Sequence, residues 1–576
     1  MAKRSYHSLD LDARVRRDAA QNIRDERATG VLESFRLYRK AVLWSLALSS
    51  CIIMEGFGTL IIGASFALPS FQHRFGSRDE LGGISIASHW QSAINTLAIA
   101  GNIVGLLLSG FMVERIGYKH TLMIGLAVLG ATISITFTAH TATMLAVGNF
   151  LCGIPWGVFQ TTTTTYASEV CPLQLRPFLT TWVNFCWCLG QMLSSLVLRS
   201  VIDLPGDLSF RIPLATQWVW ILPLLIAIAF APESPWWLIR RGRTDDAREA
   251  LLRLTTHRVG GVDTRAAVNM MVYTNELEKA QSGGSDYRDC FKGADLRRTE
   301  ISCFVWAIQN LSGGSLMGYS AYFFLQAGMS SDVSFTFQIA QYGLGMIGTT
   351  MSWLLMIYFG RRTLYLFGHF AGLAIFATMG LVAVFVPGSV ASWVIGALLL
   401  TFVFCYDATL GPVCYTLVAE ISSTRLRNKT IVLARIFYNV CGIIMGLLTP
   451  PMLNPQAWDL GGKAGFVFFG LTLMMLVWTY FRLPETKGRS FFELDVLFGD
   501  GTPARAFASS IVSLGSACDA ERAMSNIRTF DPVCPQSRSM SLVENLEFKS
   551  GKNDRVVVVT VAERSGTSPA LSEIKE

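Results

Sequence analysis

The chain has 576 residues, of which 51% are hydrophobic and 15% are charged. Soluble domains carry about a quarter charged residues, so this composition, with a mean hydropathy of +0.41, excludes an ordinary soluble protein. Basic loops between apolar segments account for the formal net charge of +7, and no nucleic-acid partner is predicted.

Apolar segments of membrane-spanning length recur along most of the chain. A helix needs roughly 20 apolar residues to cross the hydrocarbon core. Lipid admits only helices or closed barrels, and these segments lack the period-two alternation of a barrel strand. We predict twelve spans, numbered 1 to 12, at residues 41–62, 90–112, 120–138, 143–165, 178–198, 216–232, 302–325, 335–358, 363–386, 392–418, 430–452 and 464–482.

Three polar segments surround and separate two groups of six spans, which we call the first half (41–232) and the second half (302–482). Residues 1–40 lack the order of a cleaved signal peptide, and residues 233–301 contain stretches of helical composition. Residues 483–576 are polar and predicted to be largely disordered. In this tail Lys549, Lys552 and Lys575 are candidate ubiquitin acceptors or simply solvated lysines.

The distribution of Lys and Arg predicts the orientation in the bilayer. Loops on one side carry most of the basic residues, including Arg176, Arg240, Arg361 and Lys429, whereas the opposite loops hold few, such as Arg74. Basic loops face the cytoplasm in membrane proteins. Both termini and the central segment are therefore predicted to be cytoplasmic.

The two halves repeat the same landmarks about 250 residues apart. Glu169 precedes Arg176 by seven residues where span 4 ends, and Glu420 precedes Arg427 by seven where span 10 ends. A Pro-Glu-Ser or Pro-Glu-Thr triplet ends both halves, at 232–234 and 484–486. The repeat predicts an all-α membrane protein of two pseudo-symmetric six-helix bundles, the arrangement of transporters that alternate access to a central site.

Charged residues of this repeat all fall at the predicted cytoplasmic face. We predict that they form ion pairs that close this face, and we call them the predicted gate. The alternative is that they only anchor helix ends and fix topology. The predicted gate contains Glu114, Arg115, Glu169, Arg176, Glu233, Arg361, Glu420, Arg427 and Glu485.

The repeated motifs resemble those of the sugar porters of the major facilitator superfamily. The resemblance is carried by residues 110–119, 166–176, 232–238, 360–362 and 484–488. Residues 54–57, 153–157, 318–324 and 418–427 further resemble fungal α-glucoside permeases of the maltose permease type. The resemblance covers about residues 41–498 and implies a major facilitator fold in the plasma membrane. It also implies proton symport of an α-glucoside such as maltose.

Sugars require amide and hydroxyl partners together with aromatic faces. By resemblance, span 7 supplies such groups at a Gln-Asn-x-x-Gly signature, and spans 5, 10 and 11 supply others. The alternative for each is an ordinary hydrogen bond between helices. The predicted sugar contacts are Gln191, Gln309, Asn310, Tyr319, Tyr415 and Asn439. Arg435, near the start of span 11, is instead predicted to reach the cytoplasmic face.

Two carboxylates within spans, Glu55 and Asp407, are candidates for proton coupling, because ionisable groups are costly in hydrocarbon and are usually functional there. The alternative for both is a permanently paired structural carboxylate. The chain also departs from its relatives, because Gly58 replaces an Asp and Asn149 replaces an Arg. Export or uniport of another small polar metabolite, and sugar sensing without transport, therefore remain alternatives.

No feature of the sequence predicts an enzyme. The 12 Cys show neither metal-ligand spacing nor a disulfide framework, and no cofactor or metal site is predicted. The expected partners are a sugar or other small polar substrate, a proton and the lipid bilayer.

Overall fold

A computed structural model provides the structure. It describes residues 29–65, 68–78, 84–86, 88–172, 174–201, 204, 206–256, 263–281, 286–318, 320, 331–386, 389–423, 426–453, 458, 460–489 and 491–510. The candidate sugar contact Tyr319 and the candidate ubiquitin acceptors Lys549, Lys552 and Lys575 lie outside the described residues.

The first half consists of long helices, because its apolar runs leave the backbone no partner in lipid except itself. A short helix, Val31–Leu37, precedes span 1, and a short helix, Pro69–Phe75, follows it. A small antiparallel hairpin then pairs Ser77–Arg78 with Ile84–Ser85. Spans 1 to 6 are the helices Arg39–Ser49 with Cys51–Ser65, Ser88–Phe137 (spans 2 and 3), Ala142–Val170, Arg176–Val201 and Leu208–Phe230.

The second half repeats this pattern after a helical linker. The linker helices are Pro235–Arg240, Thr244–Leu254, Thr264–Gln281 and the 3-10 turn Tyr287–Phe291. The described part of span 7 contains Gly293–Gln309, a π turn at Asn310–Gly314, and Ser315–Gly318. Spans 8 to 12 are Ser331–Tyr358, Arg361–Phe385, Ser389–Ala408 with Leu410–Ile421, Arg427–Leu453 and Ala464–Arg482. The remaining elements are Gly461–Lys463, Phe491–Gly499 and Ala504–Ala506.

The helices agree with the predicted membrane fold. Within the described part of the chain, 9 helices are long and apolar enough to cross a membrane. One of them, Trp90–Phe137, contains both span 2 and span 3. Spans 7 and 8 are helical but are not among those 9. The architecture is therefore an all-α membrane protein, consistent with twelve spans.

Each half contains the same turn, held by the Glu of its Pro-Glu-Ser or Pro-Glu-Thr triplet. In the first half Glu233 accepts hydrogen bonds from the backbone N–H groups of Tyr118 (2.9 Å) and Lys119 (3.2 Å) at the start of span 3. In the second half Glu485 accepts from Arg361 (2.8 Å) and Arg362 (3.2 Å) at the start of span 9. A carboxylate at a helix N-terminus satisfies donors that lack partners within the helix.

A glycine precedes each of these helix starts, because the carboxylate approaches the backbone closely. Gly117 has φ 86°, and a Cβ atom there would lie 2.6 Å from Glu233 Oε2. A Cβ atom on Gly360 would collide with the Glu485 carboxylate. The sequence repeat therefore corresponds to a repeated structural device, in which the end of each half is tied to its own third helix.

Spans 7 and 10 are both interrupted near the middle. Span 7 departs from α-helical geometry at Ser312 and at Gly313, whose φ is 100°. A Cβ atom at Gly313 would meet the Phe376 ring, so glycine suits both the backbone and the packing here. Span 10 breaks at Thr409, with φ −132° and ψ −80°. These breaks expose backbone carbonyls to polar side chains in the middle of the second half.

Candidate sugar site and charged gate

The two amides of the span 7 signature bond to neighbouring spans of the second half. Gln309 Nε2 donates to the carbonyl of Gly411 in span 10 at 3.2 Å. Asn310 Nδ2 donates to the carbonyl of Tyr438 in span 11 at 2.9 Å. Both residues are buried. Adjacent residues of a helix point about 100° apart, so these two amides reach two different helices.

An aromatic cluster surrounds Arg435 beside these amides. The Arg435 guanidinium lies 3.7 Å from the Trp306 ring centroid, and its Nη2 lies 3.4 Å from Tyr415 Oη. Trp306 and Tyr415 pack edge to face at 4.7 Å. Arg435 is only 3% exposed. The prediction that Arg435 reaches the cytoplasmic face is therefore wrong, because stacking on the aromatic rings holds its charge inside the bundle.

Glu55 of span 1 faces this cluster from the first half. It is 2% exposed, accepts a hydrogen bond from Gln160 Nε2 of span 4, and lies within electrostatic range of Arg435. Its Oε2 atom is buried and has no hydrogen-bond partner among the described residues. A carboxylate of the first half and a guanidinium of the second half thus lie within electrostatic range of each other, beside the aromatic rings.

The structure gives a reason for the departure at Gly58. A Cβ atom there would collide with the Trp156 ring and lie 3.2 Å from Gln217 Oε1. Any carboxylate at this position would require Trp156 to move. Asn149, the second departure, is buried in span 4. The chain therefore retains Glu55 as a buried carboxylate in span 1 and fills the neighbouring position with an indole ring.

The other predicted sugar contacts lie in different places. Asn439 of span 11 donates to Asn102 Oδ1 of span 2 at 3.2 Å, so this buried pair joins the two halves. Gln191 of span 5 is half-buried. Asp407 is separate from the group of residues around Glu55 and accepts a hydrogen bond from Asn184 Nδ2 of span 5. Asn102 was not found by sequence reasoning, since a lone Asn in an apolar span carries no motif.

The residues of the predicted gate that lie in the second half form a compact network around Glu420. Glu420 accepts from Arg361 Nη2 at 3.2 Å and from Thr486 Oγ1 at 2.5 Å. The side chains of Arg361 and Glu420 are 7% and 5% exposed. Thr486, which follows the capping residue Glu485, thus also donates to the Glu420 carboxylate of span 10. The end of the second half is therefore bonded to the start of span 9 and to span 10.

In the first half Glu169, the equivalent of Glu420, pairs with an arginine at a different position in the repeat, Arg240. Glu169 accepts from Ser234 Oγ at 2.5 Å and from Arg240 Nη2 at 2.7 Å. The turn that ends in Gly360-Arg361 in the second half reads Gly117-Tyr118 in the first half, so Arg240 of the linker supplies the positive charge instead. Burial raises the pKa of Glu233, while the backbone N–H donors of Ser234, Tyr118 and Lys119 favour its charged form.

The remaining gate residues contact neighbours on the same face. Arg176 Nε donates to the Ser168 carbonyl at 3.2 Å. Arg115 is exposed and lies 4.0 Å from the Phe111 ring centroid. Arg427 of the second half lies within electrostatic range of Tyr118 of the first half. The ion pair of Glu420 with Arg361 lies within the second half, and that of Glu169 with Arg240 joins span 4 to the linker. The role of these pairs in closing the face remains a prediction.

An ion pair between Lys429 and Glu114 joins the halves at this face. Lys429 Nζ at the start of span 11 lies 2.8 Å from Glu114 Oε1 at the end of span 2. Tyr287 of the linker packs beside it, with Lys429 Nζ 5.7 Å from the ring centroid. Burial, and then the Glu114 charge, raise the pKa of Tyr287 to about 12. Sequence reasoning placed Glu114 in the predicted gate but used Lys429 only to predict the orientation, although Lys429 stands only two residues after Arg427.

Comparison with known proteins identifies the family. The model of the family described as "Sugar (and other) transporter" matches residues 44–498. The chain belongs to the sugar transporter family. It is therefore a multi-pass membrane transporter and not an enzyme. Within the described residues, no group of three or more His, Cys, Asp or Glu side chains is placed to hold a metal ion.

This sugar transporter is similar to several Saccharomyces cerevisiae permeases. It is 42% identical over 503 residues to a general alpha-glucoside permease, with 86% of this chain and 81% of the relative covered. It is 41% identical over 512 residues to the maltose permease MAL31, with 87% and 83% covered. It is 42% identical over 505 residues to the alpha-glucosides permease MPH3, with 86% and 83% covered.

Solved structures support the same fold. A major facilitator proton:xylose symporter, XylE, bound to 6-bromo-6-deoxy-D-glucose superposes with a TM-score of 0.69 at 21% identity. That match covers 80% of this sugar transporter and 99% of the XylE chain. A partially occluded inward-open form of XylE from E. coli matches with a TM-score of 0.59 at 18% identity, covering 79% and 99%. The sugar transporter therefore has the major facilitator fold.

Proposed function

We propose that this sugar transporter imports an α-glucoside such as maltose across the plasma membrane by proton symport, with both termini in the cytoplasm. One observation carries the proposal. A site of buried amides and aromatic rings in the second half adjoins a buried carboxylate of the first half, Glu55, and the Arg435 guanidinium. The names of the yeast relatives, α-glucoside and maltose permeases, support the choice of substrate.

The sugar binds where spans 7, 10 and 11 meet. Its hydroxyl groups replace the internal hydrogen bonds that Gln309 and Asn310 now make to Gly411 and Tyr438. Trp306 and Tyr415 offer aromatic surface to the apolar side of the sugar ring. Gln191, Tyr319 and Asn439 complete the proposed set of contacts. Because the sugar is uncharged, it brings no charge that would have to be neutralised in the bilayer.

Glu55 carries the coupled proton. When Glu55 is charged, it is attracted to Arg435 in the other half, and this attraction favours contact between the halves. When Glu55 is protonated, the attraction is lost and its second oxygen can act as a hydrogen-bond donor. A membrane potential of 100 mV adds about 2.3 kcal/mol per charge moved, equivalent to roughly 50-fold accumulation.

Reconstituted transport tests this proposal. The purified chain in proteoliposomes is expected to take up labelled maltose against its gradient when the outside is made acidic, and to acidify the lumen as it does so. Counterflow of maltose without lumen acidification would indicate uniport, the second candidate, which the filling of the Gly58 position by Trp156 favours. Saturable maltose binding without counterflow would indicate a sensor.

Gln309→Ala is expected to weaken maltose binding. The substitution removes an amide that bonds across the proposed site to Gly411. The loss of one such partner costs about 1–2 kcal/mol, which is roughly 5- to 30-fold in Kd. Equilibrium binding of labelled maltose to the purified protein measures this change.

Gln341→Ala is the matched control for this substitution. Gln341 is also a buried amide, and its Nε2 donates to a span 7 carbonyl, that of Met317, at 3.1 Å. It is not among the proposed sugar contacts. An equal loss of affinity in both variants would show that the effect arises from the packing of span 7, and unchanged affinity in Gln309→Ala would remove Gln309 from the site.

A further inference from the structure

We propose that Asp407 is a second proton-binding site, separate from Glu55, whose proton is held while the two halves are packed and released when they separate. The inference rests on the proposed transport function. It concerns the contact of span 5 in the first half with spans 8 and 10 in the second half, which we call the seam. Thr180, Thr181 and Asn184 of span 5 meet Thr349, Trp353, Asp407 and Thr416 there.

Asp407 accepts a hydrogen bond across the seam from the Asn184 amide. Asn184 Nδ2 lies 3.1 Å from Asp407 Oδ1 in span 10 and 3.0 Å from Thr349 Oγ1 in span 8. Asp407 is 5% exposed. It stands two residues before Thr409, where span 10 breaks. Separation of the halves must therefore break the Asn184 bonds and expose the carboxyl group.

Two glycines of span 8 allow close packing at Asp407, one against its carboxyl group and one against its backbone. A Cβ atom at Gly345 would lie 2.7 Å from Asp407 Oδ2, and one at Gly348 would lie 3.1 Å from the carbonyl carbon of Asp407. The rest of the seam is closed by hydrogen bonds between neutral groups. Thr180 and Thr416 lie 3.2 Å apart, and Trp353 Nε1 donates to Thr181 at 2.8 Å. The carboxyl group is thus enclosed by close packing.

Among the described residues, those around Asp407 supply hydrogen-bond donors but no positive charge. From span 5 the titratable neighbour is Cys188, whose Sγ lies 3.9 Å from Asp407 Oδ1. From spans 8 and 10, Tyr342 and Tyr406 lie within electrostatic range. The titratable groups of span 9 bond elsewhere: His369 Nε2 lies 3.2 Å from Thr479 Oγ1, and Tyr365 Oη donates to the Val305 carbonyl.

Within the described part of the chain the side chains that bond to Asp407 are the neutral Asn184 and Cys188, whereas Glu55 has Arg435 nearby. An unpaired charge at the centre of a bilayer costs about 2.5–3.5 kcal/mol even on the most lenient scale. The carboxyl group is therefore neutral in the packed seam, where Asn184 Nδ2 still donates to its oxygen. Once the seam separates and water enters, the cost of ionisation falls and the proton leaves.

A consequence follows by linkage. Opening of the seam releases a proton, so acid conditions favour the packed state and alkaline conditions favour separation. The ratio of separated to packed molecules changes by at most tenfold per pH unit, since one proton is involved. Asp407 would thus make the exchange of conformations sensitive to pH without touching the sugar.

Hydrogen–deuterium exchange of the full chain in lipid nanodiscs tests this inference. In wild type, peptides of spans 5 and 8 are expected to be more protected at pH 5.5 than at pH 7.5 after correction for the intrinsic exchange rate. Asp407→Asn keeps the shape of the side chain and is neutral at every pH. In this variant the peptides of spans 5 and 8 should therefore stay protected at both pH values. A pH-independent seam in wild type, or an unchanged pH response in Asp407→Asn, would overturn the proposal.

A second variant separates this site from Glu55 and needs no sugar. Glu55→Gln is expected to retain the pH response of the seam peptides, and loss of that response would show that Glu55 is the group that titrates. Maltose counterflow is measured on the same preparations. The protection of the seam peptides could depend on pH while the protein fails to transport maltose. That result would refute the proposed substrate but would still support proton binding at Asp407.

Discussion

Glu55→Gln is expected to abolish accumulation of maltose driven by a pH gradient while leaving counterflow largely intact. The substitution preserves the size of the side chain but removes the group that can exchange a proton and attract Arg435. Without a coupled proton the sugar can only equilibrate, so the accumulation of about tenfold that each pH unit of the gradient can sustain should fall to about onefold. Uptake ratios and lumen pH, measured together in proteoliposomes, report both quantities.

Asp207→Asn provides the control for this change. Asp207 is also a carboxylate next to an arginine, Arg211, at 3.2 Å, but its side chain is 43% exposed. Exposed pairs contribute little, so this variant should accumulate maltose like wild type. Continued lumen acidification in Glu55→Gln would show that another group carries the proton, and loss of counterflow in it would show that Glu55 is needed for the conformational change itself.

The parts of the fold that could be predicted from the sequence are those set by composition and local pattern. Apolar runs of membrane length identified the helices, because lipid allows the backbone no other partner. The repeated triplets at 232–234 and 484–486 indicated an equivalent place in each half, and Glu233 and Glu485 do cap the third helix of their own half in the same way. Such contacts can be predicted from the sequence because both the triplet and the helix start that it caps are repeated in each half.

The arrangement of the site could not be predicted in the same way, since it depends on how each helix is rotated about its axis. Arg435 lies near the predicted cytoplasmic end of span 11, yet the rings of Trp306 and Tyr415 hold it inside. The pair of Lys429 with Glu114 joins residues of different halves that no shared motif relates. The collision that excludes a side chain at Gly58 involves Trp156, almost a hundred residues away in the sequence.

Loss of Glu420 is expected to lower the stability of the protein far more than loss of Glu169, its equivalent in the first half. Glu420→Ala leaves the Arg361 guanidinium, whose side chain is 7% exposed, without its carboxylate. Removal of one partner of a buried pair costs about 3–5 kcal/mol, a large part of the stability of a typical protein. Thr486 also loses its acceptor. We expect a strongly lowered Tm and little protein at the membrane.

Comparison with two further variants separates the charge from the packing. Glu169→Ala should cost less, because its partner Arg240 is 31% exposed and can turn to water. The double variant Glu420→Ala/Arg361→Leu removes both charges and should be more stable than Glu420→Ala alone, because no unpaired cation remains buried. Thermal unfolding of the purified proteins measures these differences. If the double variant is no more stable than the single one, Glu420 acts through Thr486 and Glu485, and the ion pair with Arg361 is not what holds this face together.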